Sequence, residues 1–179
     1  MHNKVDNGMN LKLRLLERTE IPLFSRSEEE AFRVHDRYFP DGNVPGASED
    51  DRGEFDLKNV IDNPQFTVLG IYDDNVFCGG TIVEDKGGNV KDISIFFLIV
   101  EYQGKGIGKT ALEMVEAYFP DARLFRLITP SQVVRNVVFY VNKCGYRIVK
   151  VIDFNKEANT ADYVFEKRRR RAKQSLGLK

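Results

Sequence analysis

The sequence predicts a mixed α+β fold, with one mostly antiparallel sheet of about six to seven strands flanked by about four helices. Three β-type runs follow one another at residues 66–72, 76–84 and 90–100, with only short turns between them. A helical pattern over 106–118 and another strand pattern at 123–128 come directly after this meander. Because the chain has 179 residues, enough for one compact domain, these elements are assigned to a single sheet.

The N-terminal part begins with a strand and then a helix. Leu11, Leu13 and Leu15 alternate with basic residues, which is typical of a half-buried strand. The segment 25–38 carries apolar residues at helical spacing after a Ser-Glu-Glu-Glu start, and Pro40 ends it. We therefore expect this helix to cover one side of the sheet.

Residues 41–62 are predicted to form a loop or short-helix region, because they are rich in glycine, proline and charge. They contain seven acidic residues against two bases. Two interpretations are open for this segment: an acidic lip that attracts a cationic amine, or a solvated connector.

The meander is the clearest part of the pattern. The connections 73–75 and 86–89 consist of Asp, Asn, Gly and Lys, residues that suit tight antiparallel hairpins. The run 90–100 has apolar residues on both faces, so we expect this strand to be central.

The C-terminal half completes the sheet. The strand, helix and strand order over 90–128 indicates one parallel crossover in the otherwise antiparallel sheet. Ser131 is predicted to cap a further helix that ends at Gly145. Two last strand patterns follow at 146–154 and 162–166.

Charge argues against nucleic-acid binding by the domain as a whole, because 27 basic residues balance 27 acidic ones. We assign one domain to residues 1–166 and a basic C-terminal tail to residues 167–179, where five bases and Lys173 cluster. This tail is interpreted either as a solvated end or as a contact for an anionic partner such as RNA or a lipid surface.

Cysteine, histidine and apolar content limit the other classes of site. Cys78 and Cys144 lack the spacing of a zinc site or a disulfide scaffold, so both are expected to be reduced thiols. With only His2 and His35 in the chain, we expect no metal centre. No apolar stretch has the length of a signal peptide or a membrane span, so the sequence predicts a cytoplasmic protein without a membrane partner.

A glycine-rich stretch at 103–110 follows the predicted central strand and opens the next helix. Glycines let the backbone approach a ligand, and free amides at a helix N-terminus favour a phosphate, to which Lys105 and Lys109 can add charge. A nucleotide-binding P-loop would need glycine where Gln103 stands, and it would follow a parallel strand. The P-loop is therefore the weaker interpretation.

The segment 100–108 resembles the coenzyme A motif of the GCN5-related N-acetyltransferase (GNAT) family. In that motif a Gln or Arg is followed, after two residues, by Gly, one residue, and Gly or Ala, and Gln103, Gly106 and Gly108 fill its three positions. The resemblance implies a GNAT-type sheet and acetyl-coenzyme A as co-substrate. It also implies that the loop wraps the coenzyme diphosphate.

The segment 135–146 is similar to the second signature of the family. There an Asn contacts the pantetheine arm and a Tyr lies near the thioester sulfur, roles that fall on Asn136 and Tyr140, although Tyr140 and Gly145 are one residue further apart than is commonest. The family also has a bulged central strand that opens a slot, and the amide near Leu98 would hold the acetyl carbonyl there. The implied coenzyme-binding residues are Leu98, Ile99, Val100, Gln103, Gly104, Lys105, Gly106, Ile107, Gly108, Lys109, Thr110, Asn136 and Tyr140.

Three side chains are candidates for proton transfer. The Tyr140 hydroxyl, with a reference pKa of about 10 against about 8.5 for a cysteine-like thiol, can return a proton to the departing thiolate. Glu84 and Asp92, at the facing ends of a hairpin, are candidates for the base that takes the amine proton. The competing interpretations are a core aromatic for Tyr140 and solvated strand-end carboxylates for the two acids.

We conclude from the sequence that the chain is expected to transfer an acetyl group from acetyl-coenzyme A directly to a primary amine of a small molecule or peptide. Phe24, Phe32 and Tyr38 suggest a partly apolar acceptor lining. A non-catalytic acyl-coenzyme A sensor on the same fold and a nucleic-acid module using the basic tail are the alternatives, and a homodimer is left open.

Overall fold

The computed structural model describes residues 8–33, 38 and 57–169, together with the backbone of residues 2–4. Within these residues one eight-stranded sheet runs in the spatial order β1-β2-β3-β4-β5-β6-β8-β7. Its strands are β1 His2–Lys4, β2 Asn10–Leu15, β3 Phe66–Asp73, β4 Val76–Asp85, β5 Val90–Leu98, β6 Leu124–Pro130, β7 Arg147–Asn155 and β8 Thr160–Arg168. Only the β5–β6 pair is parallel, so the predicted mixed, mostly antiparallel sheet is confirmed.

Four helices flank the sheet in the described part of the chain. They are α1 Ile21–Arg33, α2 Leu57–Val60, α3 Ile107–Tyr118 and α4 Val134–Val138, and α4 continues into a π-helical turn over Phe139–Lys143. Seven of the eight strands match the predicted ones, and β1, which pairs with β2, is additional. Up to position 56, the predicted loop or short-helix region at residues 41–62, interpreted as an acidic lip or as a solvated connector, lies outside the described residues.

Two apolar clusters fill the space on the two faces of the sheet. On one face α3 packs its buried Ile107, Leu112 and Val115 over residues of the strands such as Phe125 and Phe165. On the other face, α1 and α2 cover a second cluster that includes Phe24, Ile82 and Phe97. The sheet is therefore covered on both faces, as expected for a central strand with two apolar faces.

Two helix boundaries differ from the prediction. α1 begins at Ile21 rather than near residue 25, because Pro22 is tolerated in a first helical turn and a 3-10 turn at Arg18–Glu20 leads into it. Ser131 does not cap α4, which begins at Val134. Its backbone N–H donates to Ala161 C=O at 2.8 Å and its hydroxyl accepts from the Ala161 N–H at 3.3 Å, so it ties the end of β6 to β8 instead.

The start of the basic tail belongs to the domain. β8 extends to Arg168, so the predicted boundary at residue 166 falls inside a strand. Lys167 Nζ contacts the buried Glu116 carboxylate at 2.7 Å, and Arg169 donates to the backbone carbonyls of Glu116, Phe119 and Pro120. Two of the six cations of the predicted cluster are therefore held by α3 and its C-terminal end, and residues 170–179 lie outside the described part.

Candidate active site

A cleft opens where the two parallel strands separate. β5 and β6 pair only from Val90–Asp92 against Leu124–Arg126. Just beyond, the β4–β5 register shifts so that Ser94 is an extra residue on β5, a β-bulge that bends the strand away from its neighbour. The resulting cleft, of about 500 Å³, is lined by both strands, the glycine-rich loop, α1 and α4.

The glycine-rich loop forms one wall of this cleft. Gly106 has φ +81° immediately before α3 begins at Ile107, and Gly104 has φ +73°. A side chain at either position would meet nothing within 4 Å, so the backbone itself faces open space. The first amides of α3 have no partner within the helix, and this loop presents them to the cleft, where an anion would be favoured.

The backbone of Leu98 points its polar groups into the cleft. Ile99 N–H donates to Cys78 C=O on β4 at 3.0 Å. Because successive residues of a strand direct their N–H and C=O groups to opposite sides, the N–H of Leu98 points away from β4 toward the gap left by β6. Leu98 lies at the end of β5, six residues beyond the last β5–β6 pair, and it lines the cleft.

Gln103 links the two walls of the cleft. Its Nε2 donates to Leu98 C=O at 2.8 Å, and its Oε1 accepts from Arg135 Nη2 at 3.1 Å. The side chain thus joins the end of β5 to the first turn of α4. It fixes the carbonyl of Leu98, and no hydrogen bond from another described residue engages the Leu98 amide.

The α4 wall packs against the loop through Phe139. The Phe139 ring stacks on Phe96 with ring centroids 6.5 Å apart and planes 9° apart. It also lies so close to Gly108 that a Cβ there would be 3.3 Å from the ring. Asn136 Nδ2 donates to Thr129 Oγ1 at 3.1 Å, which ties α4 to the end of β6.

Tyr140 sits in the π-helical turn and belongs both to the core and to the cleft wall. It is 8% exposed, with its ring edge-on to Phe139 and Tyr146 and tilted against Phe165, and it also lines the cleft. Within the described residues no hydrogen bond involves its hydroxyl. Burial raises the pKa of Tyr140 above its ordinary value, so the phenol stays protonated.

The structure places the two candidate bases side by side but outside the lining of the cleft. Glu84 and Asp92 are directly opposed in the β4–β5 ladder. Glu84 is committed to Lys86 Nζ at 2.6 Å and Gln65 Nε2 at 2.8 Å. Among the described residues, one Asp92 carboxylate oxygen has no hydrogen-bond partner, and the other lies 3.9 Å from Arg126 Nη1. Burial raises the pKa of this carboxyl.

The predicted coenzyme-binding residues divide into two groups. Those that line the cleft are Leu98, Gln103, Gly104, Gly106, Gly108, Lys109, Asn136 and Tyr140. Those whose positions lie behind or beside the wall are Ile99, Val100, Lys105, Ile107 and Thr110. Ile107 is fully buried in the core, where its side chain anchors the start of α3.

The predicted acceptor lining needs correction at Phe24. That side chain is fully buried, because it packs edge-on against Phe97 and presses on Gly80, so it supports the cleft without lining it. Phe32, two turns further along α1, does line the cleft, while Tyr38 is not part of the lining. Ala31 and Phe97 complete the lining near Phe32.

Sequence reasoning missed two cations of the site, Arg135 and Lys143. The signal was available, because the segment 131–146 carries these two bases and no acid in a chain that otherwise balances its charges. On an ordinary solvated helix, bases are commonly accompanied by acids one turn away.

Comparison with known proteins agrees with this architecture. The sequence model of the Acetyltransferase (GNAT) family matches residues 28–146, which include the cleft, its loop and α4. The chain belongs to the GNAT acetyltransferase family. The predicted family and the GNAT-type sheet are thereby confirmed.

Among relatives of this GNAT domain, the Bacillus subtilis (strain 168) protein YrkN, itself described as uncharacterized, is 30% identical over 152 residues, covering 82% of this chain and 78% of YrkN. Two solved structures contain coenzyme A. The PaiA N-acetyltransferase of Thermoplasma acidophilum has a TM-score of 0.66 at 20% identity, covering 90% of this chain and 100% of that one. The spermidine N-acetyltransferase of Vibrio cholerae, in complex with coenzyme A and spermine, has a TM-score of 0.67 at 15% identity. The match covers 88% of this chain and 95% of that one.

The ribosomal-protein-S18-alanine N-acetyltransferase of Escherichia coli is similar at a TM-score of 0.68 and 12% identity, covering 94% of this chain and 99% of that one. At such identities the likeness shows the shared GNAT fold. In the described part of this chain, no three His, Cys, Asp or Glu side chains are grouped as metal ligands. None of the described helices is long and apolar enough to cross a membrane.

Proposed function

We propose that this GNAT domain transfers an acetyl group from acetyl-coenzyme A directly to a primary amine of a small molecule or peptide. The observation that carries the proposal is that one continuous cleft joins the open glycine-rich loop, the outward-facing Leu98 amide and the protonated Tyr140. Each of these meets a separate requirement of acetyl transfer.

The residues of the cleft fit the coenzyme. Gly104 and Gly106 leave open space over the amides at the start of α3, which suits a diphosphate. Lys109, Arg135 and Lys143 add positive charge to the lining, and no acidic residue lines it within the described part of the chain. The slot between the diverging β5 and β6 would hold the pantetheine arm between Leu98 and Thr129.

When bound, acetyl-coenzyme A supplies an acetyl group activated as a thioester: the amine nitrogen bonds to the acetyl carbon, the C–S bond breaks, the amine loses a proton and sulfur gains one. The N–H of Leu98 is the donor available for negative charge on the carbonyl oxygen. It needs no reorganisation for this role, because β5 already directs it into the cleft.

Tyr140 is the proposed acid that returns the proton to sulfur. Its raised pKa keeps the proton on the phenol at neutral pH, so Tyr140 is in its proton-donating form when the thiolate departs. A thiolate with an ordinary pKa of about 8.5 is a weaker base than the phenolate, so the phenolate regains its proton once the transfer is complete. Its ring is fixed by three aromatic neighbours, which hold the hydroxyl in one place.

Asp92 is the preferred candidate for the base that takes the amine proton. It lies where β5 and β6 separate, next to Ile93 and Ser94 of the cleft lining, and one of its oxygens has no partner in the part of the chain that the structure describes. Because the carboxylate does not itself line the cleft, it would act through water. Glu84 is held by Lys86 and Gln65, so its oxygens are less available.

The acceptor side of the cleft is apolar. Phe32 is 37% exposed and Ile128 is 52% exposed, and both line the cleft. The Phe32 ring lies beside Phe97, with ring centroids 6.4 Å apart. Val134 and Val138 continue this surface on α4. We expect the acceptor amine to carry an apolar group beside the reacting nitrogen, since burying such a group contributes about 25 cal/mol per Å².

A thermal-shift titration followed by a turnover assay tests the proposal. Acetyl-coenzyme A is expected to raise the melting temperature in a saturable way, whereas acetate and pantetheine are not. An amine panel is then assayed by release of the coenzyme thiol, comparing amines with and without an apolar substituent. No shift with acetyl-coenzyme A would contradict the proposal.

The titration and the turnover assay together distinguish the proposed enzyme from the acyl-coenzyme A sensor. The sensor should bind the coenzyme tightly and show no turnover with any amine. The nucleic-acid alternative gains no support from the described residues, because Lys167 and Arg169 are already engaged within the domain.

A further inference from the structure

The strands that separate at the cleft carry a row of charged side chains. Asp92 on β5 is opposite Glu84 on β4 and opposite Arg126 on β6. Arg126 is in turn opposite Glu166 on β8. Residues that are directly opposite each other in a sheet direct their side chains to the same face, so these four residues form one charged row across four strands.

The charged row lies next to the acceptor side of the cleft. Phe125 and Leu127, on either side of Arg126 in the chain, belong to the apolar cluster under α3, so Arg126 points to the opposite face of the sheet. Ile128 is two residues further along β6, on the same face as Arg126, and it lines the cleft. The pair formed by Asp92 and Arg126 is the last one before β5 and β6 separate.

Arg126 is shared unequally between two carboxylates. Its Nη2 donates to Glu166 Oε1 at 3.2 Å, whereas its Nη1 lies 3.9 Å from Asp92 Oδ2, which is too far for a hydrogen bond. The side chains of Asp92 and Glu166 are only 20% and 17% exposed, so solvent screens these charges less than it screens charges at the surface. Glu166 therefore holds the guanidinium more closely than Asp92 does.

This arrangement leaves Asp92 able to accept a proton. Its Oδ1 is buried and has no hydrogen-bond partner among the described residues. Burial raises the pKa of its carboxyl, and Glu84 and Glu166 raise it further. Arg126 and Lys86 lower this pKa, but the net shift is upward. A carboxylate in direct contact with a guanidinium would instead have a pKa lowered by about one to three units and would be a weaker base.

We propose that Glu166 is a positioning residue, which draws Arg126 toward β8 and so keeps the carboxylate of Asp92 free to accept a proton beside the cleft. The inference rests on the proposed function, in which Asp92 takes the proton of the amine through water. Glu166 lies two strands away from Asp92 and acts on it through the guanidinium of Arg126.

Two substitutions in the charged row should change the base in opposite directions. In Glu166→Gln the guanidinium of Arg126 loses its counter-charge and acts more strongly on Asp92, so the pKa of Asp92 should fall by about one unit. In Arg126→Gln the cation on β6 is removed, so this pKa should rise by about one unit. Arg168→Gln is the matched control, because Arg168 is 79% exposed and lies 3.7 Å from the same Glu166 carboxylate. It should leave the pKa of Asp92 unchanged within the error of the titration.

Carbon-13 NMR titration of the aspartate carboxyl groups measures this pKa without any substrate, and the resonance that is missing in Asp92→Asn identifies Asp92. The same proteins are assayed for kcat/KM against pH with one amine throughout, so that the titration of the amine is common to all of them. The acidic limb should move to lower pH in Glu166→Gln and to higher pH in Arg126→Gln. A thermal melt verifies that each variant is folded, and Glu166→Gln decides alone if Arg126→Gln does not fold.

A pKa of Asp92 that stays the same or rises in Glu166→Gln would overturn the inference and leave the proposed function standing. A purely structural role of Glu166 would give this result, with a lower melting temperature and an acidic limb at its original pH. If the pKa of Asp92 shifts as expected but the acidic limb does not follow it, Asp92 is not the base, and that part of the proposed function is overturned.

Discussion

Tyr140 combines two roles that the sequence presented as alternatives. It is a core aromatic, because three rings surround it, and it is a cleft residue, because it lines the same cavity as the glycine-rich loop. The same burial that makes it structural also raises the pKa of its phenol. Packing therefore keeps the phenol in its protonated form at neutral pH.

Replacing Tyr140 by Phe should lower kcat about 100-fold, within the range that removal of a general acid produces. The dissociation constant of acetyl-coenzyme A should change less than threefold, because the ring that packs in the core is retained. Single-turnover kinetics and calorimetry measure the two quantities. Tyr118→Phe, at a 40% exposed site, is the matched control, and unchanged turnover in Tyr140→Phe would remove this residue as the acid.

The two carboxylates opposed on β4 and β5 can be separated by a pair of amide substitutions. Asp92→Asn should reduce kcat/KM about 10- to 100-fold at pH 7, whereas Glu84→Gln should leave it within threefold. Because burial raises the pKa of Asp92, its carboxylate becomes protonated, and stops accepting protons, at a higher pH than an ordinary carboxylate does. The acidic limb of the kcat/KM profile should therefore disappear in Asp92→Asn, and its persistence would argue for another base.

Helix α1 carries one carboxylate on its buried side. Glu28 lies one turn after the fully buried Phe24 and one turn before Phe32, and no hydrogen bond or ion pair to another described residue involves it. Burial raises the pKa of Glu28 to about 7. Since the ionised form is disfavoured in the fold, the unfolded chain releases this proton at lower pH than the folded protein does.

It follows that stability from Glu28 is fully present below its unfolded pKa, near 4.5, and is lost as pH rises toward about 7. Glu28→Gln should therefore raise the free energy of unfolding at pH 8 by up to about 3 kcal/mol, with little effect at pH 4.5. Urea denaturation at the two pH values measures this. An equal gain in the free energy of unfolding at both pH values would show that the gain does not come from ionisation of Glu28.

For the helices and strands, the sequence predicts the type and order of the elements well, but it predicts local irregularities in the backbone poorly. The meander and α3 were found because apolar periodicity and turn residues agree over long segments. The π-helical turn was visible only as one extra residue between Tyr140 and Gly145. Cys144 N–H donates to Phe139 C=O at 3.1 Å, an i to i+5 bond that absorbs this residue, and no propensity rule distinguishes it from a longer α-helix.

The candidate site was predictable where it depends on backbone conformation and less so where it depends on long-range packing. Glycine is the residue that most readily adopts a positive φ, so the positions of Gly104 and Gly106 in a tight loop could be predicted from the sequence. Whether Phe24 or Phe32 reaches the cleft depends on how α1 sits on Gly80, which only the tertiary structure reveals. The same holds for the commitment of Glu84 to Gln65 and Lys86.

At the scale of the whole molecule, buried thiols make the fold sensitive to alkali. The Cys78 thiol is fully buried and donates to Ile71 C=O at 3.3 Å, and burial raises its pKa to about 12. Its unfolded value is about 8.5, so the unfolded chain releases the proton first and stability falls as pH rises through this window.

The free energy of unfolding should therefore fall by about 1.4 kcal/mol per pH unit from Cys78 alone above pH 8.5. Between pH 7.5 and pH 10 the fall should be about 2 kcal/mol smaller in Cys78→Ala than in the unsubstituted chain, although the variant starts from lower stability. Urea titrations give both numbers. Parallel curves for the two proteins would mean that other groups carry the alkaline transition.

The short β5–β6 ladder also has a consequence for motion. Only three residue pairs join the five strands on one side of the sheet to the three on the other, and α3 spans the seam. Transient opening between β5 and β6 should let the N–H groups of Leu98 and its neighbours exchange with solvent deuterium. A ligand bound between the two strands should slow that exchange. Hydrogen–deuterium exchange should therefore detect a ligand in the slot as slower amide exchange in the strands on both sides of it, without any turnover.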